Sequence, residues 1–228
     1  MVATALVAGT VSGKVELRDS RDPAVRNRQD YSGVVISLTP MQPAVEAAPP
    51  NEKHAVILQK NKTFSPHVLA IPVGSLVDFP NVDPIFHNAF SSYSGQIFDV
   101  GLYAPGTSRT VRFKREGVVR VFCNIHSAMS AMIVVLSTPY FAVTQHDGSF
   151  IMPDVPPGEY QLRVVHERSS EAALKALARS ITVGAEEVAL PPLGISEAGY
   201  LSIPHKNKFG QDYAPEAGDH VMYPATRK

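Results

Sequence analysis

Apolar and polar residues alternate with a period of two along most of this chain. Val11-Ser-Gly-Lys-Val-Glu-Leu17 and Gly33-Val-Val-Ile-Ser-Leu38 are predicted strands, and the charged stretch 18–30 between them is a predicted loop. Residues 41–52, with Pro43, Pro49, Pro50 and several alanines, read as a linker. Seven more strands are predicted at His54–Gln59, Val68–Pro72, Leu76–Phe79, Ile97–Leu102, Thr110–Lys114, Val118–Cys123 and Ala131–Leu136. Pro105-Gly106 marks a hairpin turn among them. So many short strands, spaced by turn signals, indicate a sandwich or a Greek-key barrel. A third set follows. Phe141–Gln145 and Ser149–Ile151 form a predicted hairpin around Asp147-Gly148, and Pro156-Pro157-Gly158 turns the chain into Tyr160–Val165. Residues 169–179 are the one stretch with helical character, carrying Leu174 and Leu177 on one side. Beyond Pro191-Pro192 the periodicity stops, so 195–228 is expected to be an extended tail. The expected class is all-β: one Greek-key sandwich, a second small β-sandwich, one short helix and that tail.

Composition narrows the function. With 228 residues the chain can bury a core without disulfides or a structural metal. Lys plus Arg and Asp plus Glu both number 21, which leaves no basic footprint for nucleic acid or anionic membranes. No run reaches the roughly 18 apolar residues of a membrane span. The apolar start, residues 1–8, is short and lacks a basic region, and reads as the remnant of a trimmed secretory signal, the alternative being a disordered N-terminus.

The chain has one cysteine, Cys123, so an internal disulfide and a Cys-rich zinc site are excluded. It ends a predicted strand, on the inward face shared with Val119 and Val121. His126 and Met129 follow in a tight loop before the next apolar strand. A thiolate, an imidazole and a thioether within seven residues are soft ligands that suit copper better than calcium or magnesium. One more imidazole completes the two-His, one-Cys, weak-Met set of a blue-copper site, and His87, 36 residues upstream in Phe86-His87-Asn88, can supply it. Met132 is the competing thioether, but it alternates into the next strand. No His-x-His pair occurs, so the multicopper-oxidase pattern is absent. A Cys–His hydrolase is disfavoured because Cys123 closes an inward strand face rather than opening a helix. Four protein ligands leave no position for a substrate, so the chain is read as a non-enzyme.

These residues carry a resemblance. Residues 53–137 resemble a cupredoxin of the plastocyanin and amicyanin type through Lys62-Thr-Phe-Ser-Pro66, Ile71-Pro-Val-Gly74, Val77-Asp-Phe-Pro-Asn81, His87-Asn88 and Cys123-Asn-Ile-His126-Ser-Ala-Met129. The ligand-loop spacing is most similar to that of amicyanin, although no proline follows His126. The resemblance implies one mononuclear copper held by His87, Cys123, His126 and Met129. It also implies that Asn88 ties the two ligand loops together near the thiolate. The edge of His126, with Ser127, Ala128, Phe86 and Ala89, would then form the patch where electrons pass.

The flanks, 9–40 and 138–194, resemble the two halves of a carboxypeptidase-regulatory, transthyretin-like sandwich. The cupredoxin-like part is therefore expected to be inserted in it or paired with it. The whole is similar to bacterial periplasmic proteins of the methylamine-utilisation type. The implied function is periplasmic single-electron transfer between redox partners, such as a c-type cytochrome or a periplasmic oxidoreductase. The alternative is a copper-handling or assembly module that docks through its sandwich. His166 is expected to be a hydrogen-bonded interface histidine, and 205–210 a solvated basic turn.

Overall fold

In the computed structural model, which describes residues 8–42, 54–92, 95–201 and 204–213, the first strand already pairs with the far end of the chain. Almost all of the expected signal remnant and linker lies outside the described residues. Gly9–Arg18 runs antiparallel to Ser149–Val155 and parallel to Val188–Ala189 and Leu193–Ser196. A second sheet has the order Phe141–Val143, Val35–Pro40, Gly158–Val165, Arg179–Val183. The two sheets enclose a core that includes Val11, Val15, Ile36, Leu38, Phe150 and Leu162. Both flanks of the chain thus build one sandwich, with residues 54–137 between them in sequence.

Those central residues form the other sandwich. One sheet joins Ser108–Arg112, Leu76–Pro80 and His54–Val56. The other runs Val68–Pro72, Ser130–Leu136, Gly117–Phe122, Phe90–Ser91, Phe98–Asp99. A hairpin, Leu58–Lys60 with Thr63–Ser65, lies beside them. The core between the sheets holds Ile57, Val77, Phe79, Phe113, Val121 and Cys123.

Ser130–Leu136 is buried on both faces, as its unbroken apolar run requires. Ala131, Ile133 and Val135 face the inner core. Met132, Val134 and Leu136 face Val35, Phe141 and Val143 of the flanking sandwich. This second contact joins the two sandwiches through side chains removed from water, at about 25 cal/mol per Å2 of apolar surface.

Several local expectations change. The stretch 18–30 contains a helix, Pro23–Arg28, so there are two short helices with Glu171–Ala176. Asp22 caps it by accepting a hydrogen bond from the Ala24 amide at 2.8 Å, and Pro23 opens it. Only Val25 is buried in it, so no apolar repeat announced it. Asp147-Gly148 makes a corner rather than a hairpin: Phe141–Val143 enters one sheet and Ser149–Val155 the opposite one. Gly148 has φ +81°, and a Cβ there would lie 2.1 Å from the Val15 carbonyl oxygen. Pro105-Gly106 is likewise no hairpin; the Gly106 amide donates to Asn81 O, and Ser108–Arg112 pairs with Leu76–Pro80. The predicted strand 97–102 shrinks to Phe98–Asp99. The Asp99 carboxylate takes the Gly101 amide and the Asn88 side chain takes the Gly101 carbonyl, so both groups are withdrawn from any ladder.

Candidate metal centre

Cys123 follows the end of Gly117–Phe122 and is fully buried on the inner face with Val119 and Val121. The chain turns back at once. Cys123 N donates to Met129 O at 3.2 Å, and Met129 N donates to His126 O at 3.2 Å. These two bonds close the seven-residue loop on itself. Four backbone amides, those of Ile125, Asn88, His126 and Asn124, point toward the sulfur. Burial nevertheless pushes the thiol pKa up, so a bare thiolate is disfavoured until a cation joins it.

His87 arrives from the other side. Its backbone exchanges hydrogen bonds with Tyr103, His87 N to Tyr103 O at 3.2 Å and Tyr103 N to His87 O at 2.9 Å. Tyr103 is anchored through its hydroxyl, which donates to Phe79 O at 2.8 Å and also meets Gln59 Nε2. His87 Nδ1 lies 3.9 Å from Cys123 Sγ, and His126 Nδ1 lies 3.6 Å from it. The three ligating atoms fall within 4.8 Å of one another. A first-row metal about 2.0 Å from nitrogen and about 2.3 Å from sulfur, at trigonal angles, spaces those two atoms by roughly 3.7 Å. The two nitrogen-to-sulfur separations, 3.9 and 3.6 Å, fit such an ion.

Asp83 is the group that sequence reading missed. Its carboxylate receives His87 Nε2 at 2.8 Å and the amides of Asn61 and Lys62 at 2.6 and 2.8 Å. Burial pushes the Asp83 carboxyl up. The Lys62 amide, His87 and the Asn61 amide outweigh it and hold the pKa below its usual value. Burial pulls the His87 imidazole below its ordinary pKa, against the hydrogen bond and charge of Asp83. His87 is therefore neutral, its Nε2 proton fixed on Asp83 and its Nδ1 lone pair aimed at the sulfur. Nothing in Asn-Val-Asp-Pro marks this role, because it depends on the hairpin turn at 61–62 coming alongside.

The two methionines part company. Met129 is fully buried in the cluster that contains Cys123, whereas Met132 belongs to the contact between the sandwiches. Asn88 differs from expectation. Its side chain donates to Asp99 Oδ1 at 2.8 Å and to Gly101 O at 2.9 Å rather than to the cysteine loop; only its backbone amide meets the sulfur. In the expected surface patch, Ser127 and Ala128 are exposed and Phe86 is half-buried, but Ala89 is fully buried and drops out. Ile125, 36% exposed, takes its place. His126 itself is half-buried.

The segment 204–213 is not a solvated turn. The Tyr213 hydroxyl donates to Cys123 O at 2.6 Å, the Lys208 amide donates to Asn124 Oδ1 at 3.0 Å, and the His205 ring stacks on Phe122 with centroids 4.1 Å apart. At the other side of the molecule, His166 is buried, with Nε2 2.7 Å from Glu197. His67 Nε2 meets Glu167 at 2.8 Å, and its Nδ1 meets the carbonyl of Ser130 at 3.0 Å. His67, His166 and Glu167 line a cleft of about 300 Å3 between the sandwiches. Among the described residues no helix is long and apolar enough to cross a membrane.

The architecture is thus all-β, two sandwiches joined through Met132, Val134 and Leu136. No family model matches the chain, and no curated protein does. Solved structures do. A purple cupredoxin from Nitrosopumilus maritimus aligns over 36% of this chain and 99% of its own length, at 26% identity and TM-score 0.33. A copper-containing nitrite reductase from Thermus scotoductus aligns over 54% of this chain but only 28% of its own length, at 22% identity and TM-score 0.36. A Cu(I) amicyanin variant aligns over 44% of this chain and 98% of its own length, at 16% identity and TM-score 0.35.

Proposed function

We propose that His87, Cys123, His126 and Met129 hold one copper ion, and that the protein carries single electrons between redox partners in the periplasm. One observation carries this reading: two imidazole Nδ1 atoms lie 3.9 and 3.6 Å from the only thiol of the chain, in a buried pocket. A copper ion held there supplies a one-electron couple. The burial of Met129 in the core cluster of Cys123 supports it over Met132 as the thioether that would complete the ligand set. The Asn88 amide, directed at the sulfur, supports a tuning role for that residue.

The rest of the chemistry belongs to the protein. Asp83 keeps the His87 imidazole in the tautomer whose Nδ1 can ligate. Val119, Val121 and Ile133 pack around the thiol and exclude water from it. A full set of protein ligands leaves no position for a substrate, which favours electron exchange over catalysis. His126, at the rim, with exposed Ile125, Ser127 and Ala128, forms the exit for an electron toward a partner such as a c-type cytochrome or a periplasmic oxidoreductase. Such encounters are small and transient.

The test is a titration of the metal-free protein with cupric ion. Intense visible sulfur-to-metal absorption, saturating at one equivalent and lost in Cys123→Ser, is expected. A colourless product would overturn the assignment. A coloured product that surrenders copper readily to a chelator and shows no reversible one-electron couple would point instead to copper handling.

A further inference from the structure

We infer that residues 204–213 form a strap that fixes the two ligand-bearing segments relative to each other, so that Tyr213, Lys208 and His205 are positioning residues for the candidate metal centre. The inference rests on the copper reading only for its consequence; the strap itself is a feature of the polypeptide.

The strap grips the cysteine loop at three consecutive residues. Tyr213 donates its hydroxyl hydrogen to the carbonyl of Cys123 at 2.6 Å. Asn124 Oδ1 accepts the Lys208 amide at 3.0 Å. The His205 ring lies flat on Phe122, at 29° between planes, and Tyr213 packs edge-on against that same imidazole at 5.1 Å. His205 Nδ1 lies 3.1 Å from the Tyr213 hydroxyl oxygen, which can accept its proton while donating its own to Cys123.

The strap also reaches the histidine segment. Lys208 Nζ sits 2.7 Å from Asp99 Oδ2, and the other oxygen of Asp99 receives the Asn88 side chain at 2.8 Å. Asn88 directly follows His87. One residue, Lys208, is therefore bonded through its backbone to the loop of Cys123 and through its side chain, by way of Asp99, to the segment of His87. The gap between those segments is the place where the ligand separations are set. Because Asn88 does not bridge to the cysteine loop with its own side chain, this outside link performs that connection.

The fixing has a physical purpose. A site that keeps its ligands in place regardless of oxidation state spends little free energy on rearrangement, and supporting hydrogen bonds are what hold ligands in place. A carbonyl bonded by Tyr213 cannot swing the peptide plane that follows Cys123, and that plane carries the Asn124 amide directed at the sulfur.

The experiment uses the full chain with four single substitutions: Tyr213→Phe, Lys208→Ala, Lys208→Arg and, as a distant control, Lys175→Ala, whose partner Glu171 is on an exposed helix. Amide hydrogen exchange of the metal-free proteins is read across residues 122–129 and across the rest of the molecule. Tyr213→Phe is expected to speed exchange in 122–129 by about fivefold, the size of one lost hydrogen bond, and to leave the flanking sandwich unchanged. Lys208→Ala keeps its backbone amide on Asn124 and loses only the side-chain bond to Asp99, so it is expected to speed exchange at 87–89 and to leave 122–129 close to the parent; Lys208→Arg should restore 87–89; Lys175→Ala should change neither. Parent-like exchange in 122–129 of Tyr213→Phe, parent-like exchange at 87–89 of Lys208→Ala, or exchange raised uniformly over the whole chain, would overturn the strap. The copper-loaded proteins give the second readout: a shifted visible band and faster copper loss to a chelator in Tyr213→Phe, with thermal unfolding little changed. Loop-specific exchange with an unshifted band would overturn the positioning role. Loop-specific exchange in a chain that never colours would leave the strap standing and bring down only the copper reading.

Discussion

Asp83 holds the buried imidazole of His87 by its Nε2 at 2.8 Å, and in doing so turns Nδ1 toward Cys123. The carboxylate is itself fixed by two amides of the 58–65 hairpin, those of Asn61 and Lys62. A turn on one side of the sandwich thus determines which nitrogen faces the thiol on the other.

Replacing that carboxylate tests the chain of contacts. Asp83→Ala leaves His87 Nε2 and two amides without their partner in a buried place. Copper affinity is expected to fall about 10- to 100-fold, and stability by about 1–3 kcal/mol. Competitive titration against a chelator and urea unfolding measure the two effects separately.

The two methionines make a sharper comparison. Both are buried, so each Met→Ala substitution should cost about 2–5 kcal/mol of stability. Only Met129→Ala should alter the spectrum of the copper-loaded protein, because only Met129 shares a core cluster with Cys123. A changed spectrum in Met132→Ala with an unchanged one in Met129→Ala would reverse the axial assignment.

Joining of the sandwiches should depend on pH through His67 and Glu167. The hydrogen bond that His67 donates to Glu167 raises the His67 pKa above 6.5, against a smaller opposing effect of burial. Its contribution is complete below the ordinary histidine value and is lost as pH rises through the raised one. Burial pushes Glu167 up, but His67 and Arg168 outweigh it and hold the carboxyl below 4.5. That contribution is complete above the ordinary glutamate value and is lost as pH falls through the lowered one. The joint effect is greatest between about pH 4.5 and pH 6.5. Arg168 lies 3.6 Å from Glu167 and also pairs with Asp22 and Glu197. The His67 side chain is 46% exposed, so water screens the pair and the effect is modest. Melting temperatures followed from pH 5 to pH 9 should fall on the alkaline side, and His67→Gln should flatten that limb.

Gly148→Ala should be among the most damaging single-methyl changes in the flanking sandwich. The added carbon meets the Val15 carbonyl at 2.1 Å, and the backbone at φ +81° is strained for any residue with a Cβ. A loss of at least about 1–3 kcal/mol is expected from the strain alone, read as a lower urea midpoint with unchanged slope.

Local patterning already carried much of the architecture. Strand Val68–Pro72 was read to its ends, and Ser130–Leu136 nearly so, because an unbroken apolar run of five or more residues bounded by turn signals marks a strand. Strands of two residues, such as Phe90–Ser91 and Phe98–Asp99, have no such pattern and exist only because a partner lies opposite. The corner at Asp147-Gly148 looked like a hairpin for a related reason: a turn signal specifies a reversal of the chain but not which sheet each arm joins. The helix at Pro23–Arg28 did leave a mark, Asp22 before Pro23, without an apolar repeat to reinforce it.

By itself the amino-acid order determined that a thiol, an imidazole and a thioether stand within seven residues at the end of an inward-facing strand, since nearest-neighbour spacing alone sets that. Tertiary structure decided the rest: the approach of His87 across 36 residues, the grip of Asp83 on it, and the return of Tyr213 to the carbonyl of Cys123. Such contacts depend on how separate strands stack and where loops meet, and no local periodicity encodes a partner that is brought close only when the sheets have packed.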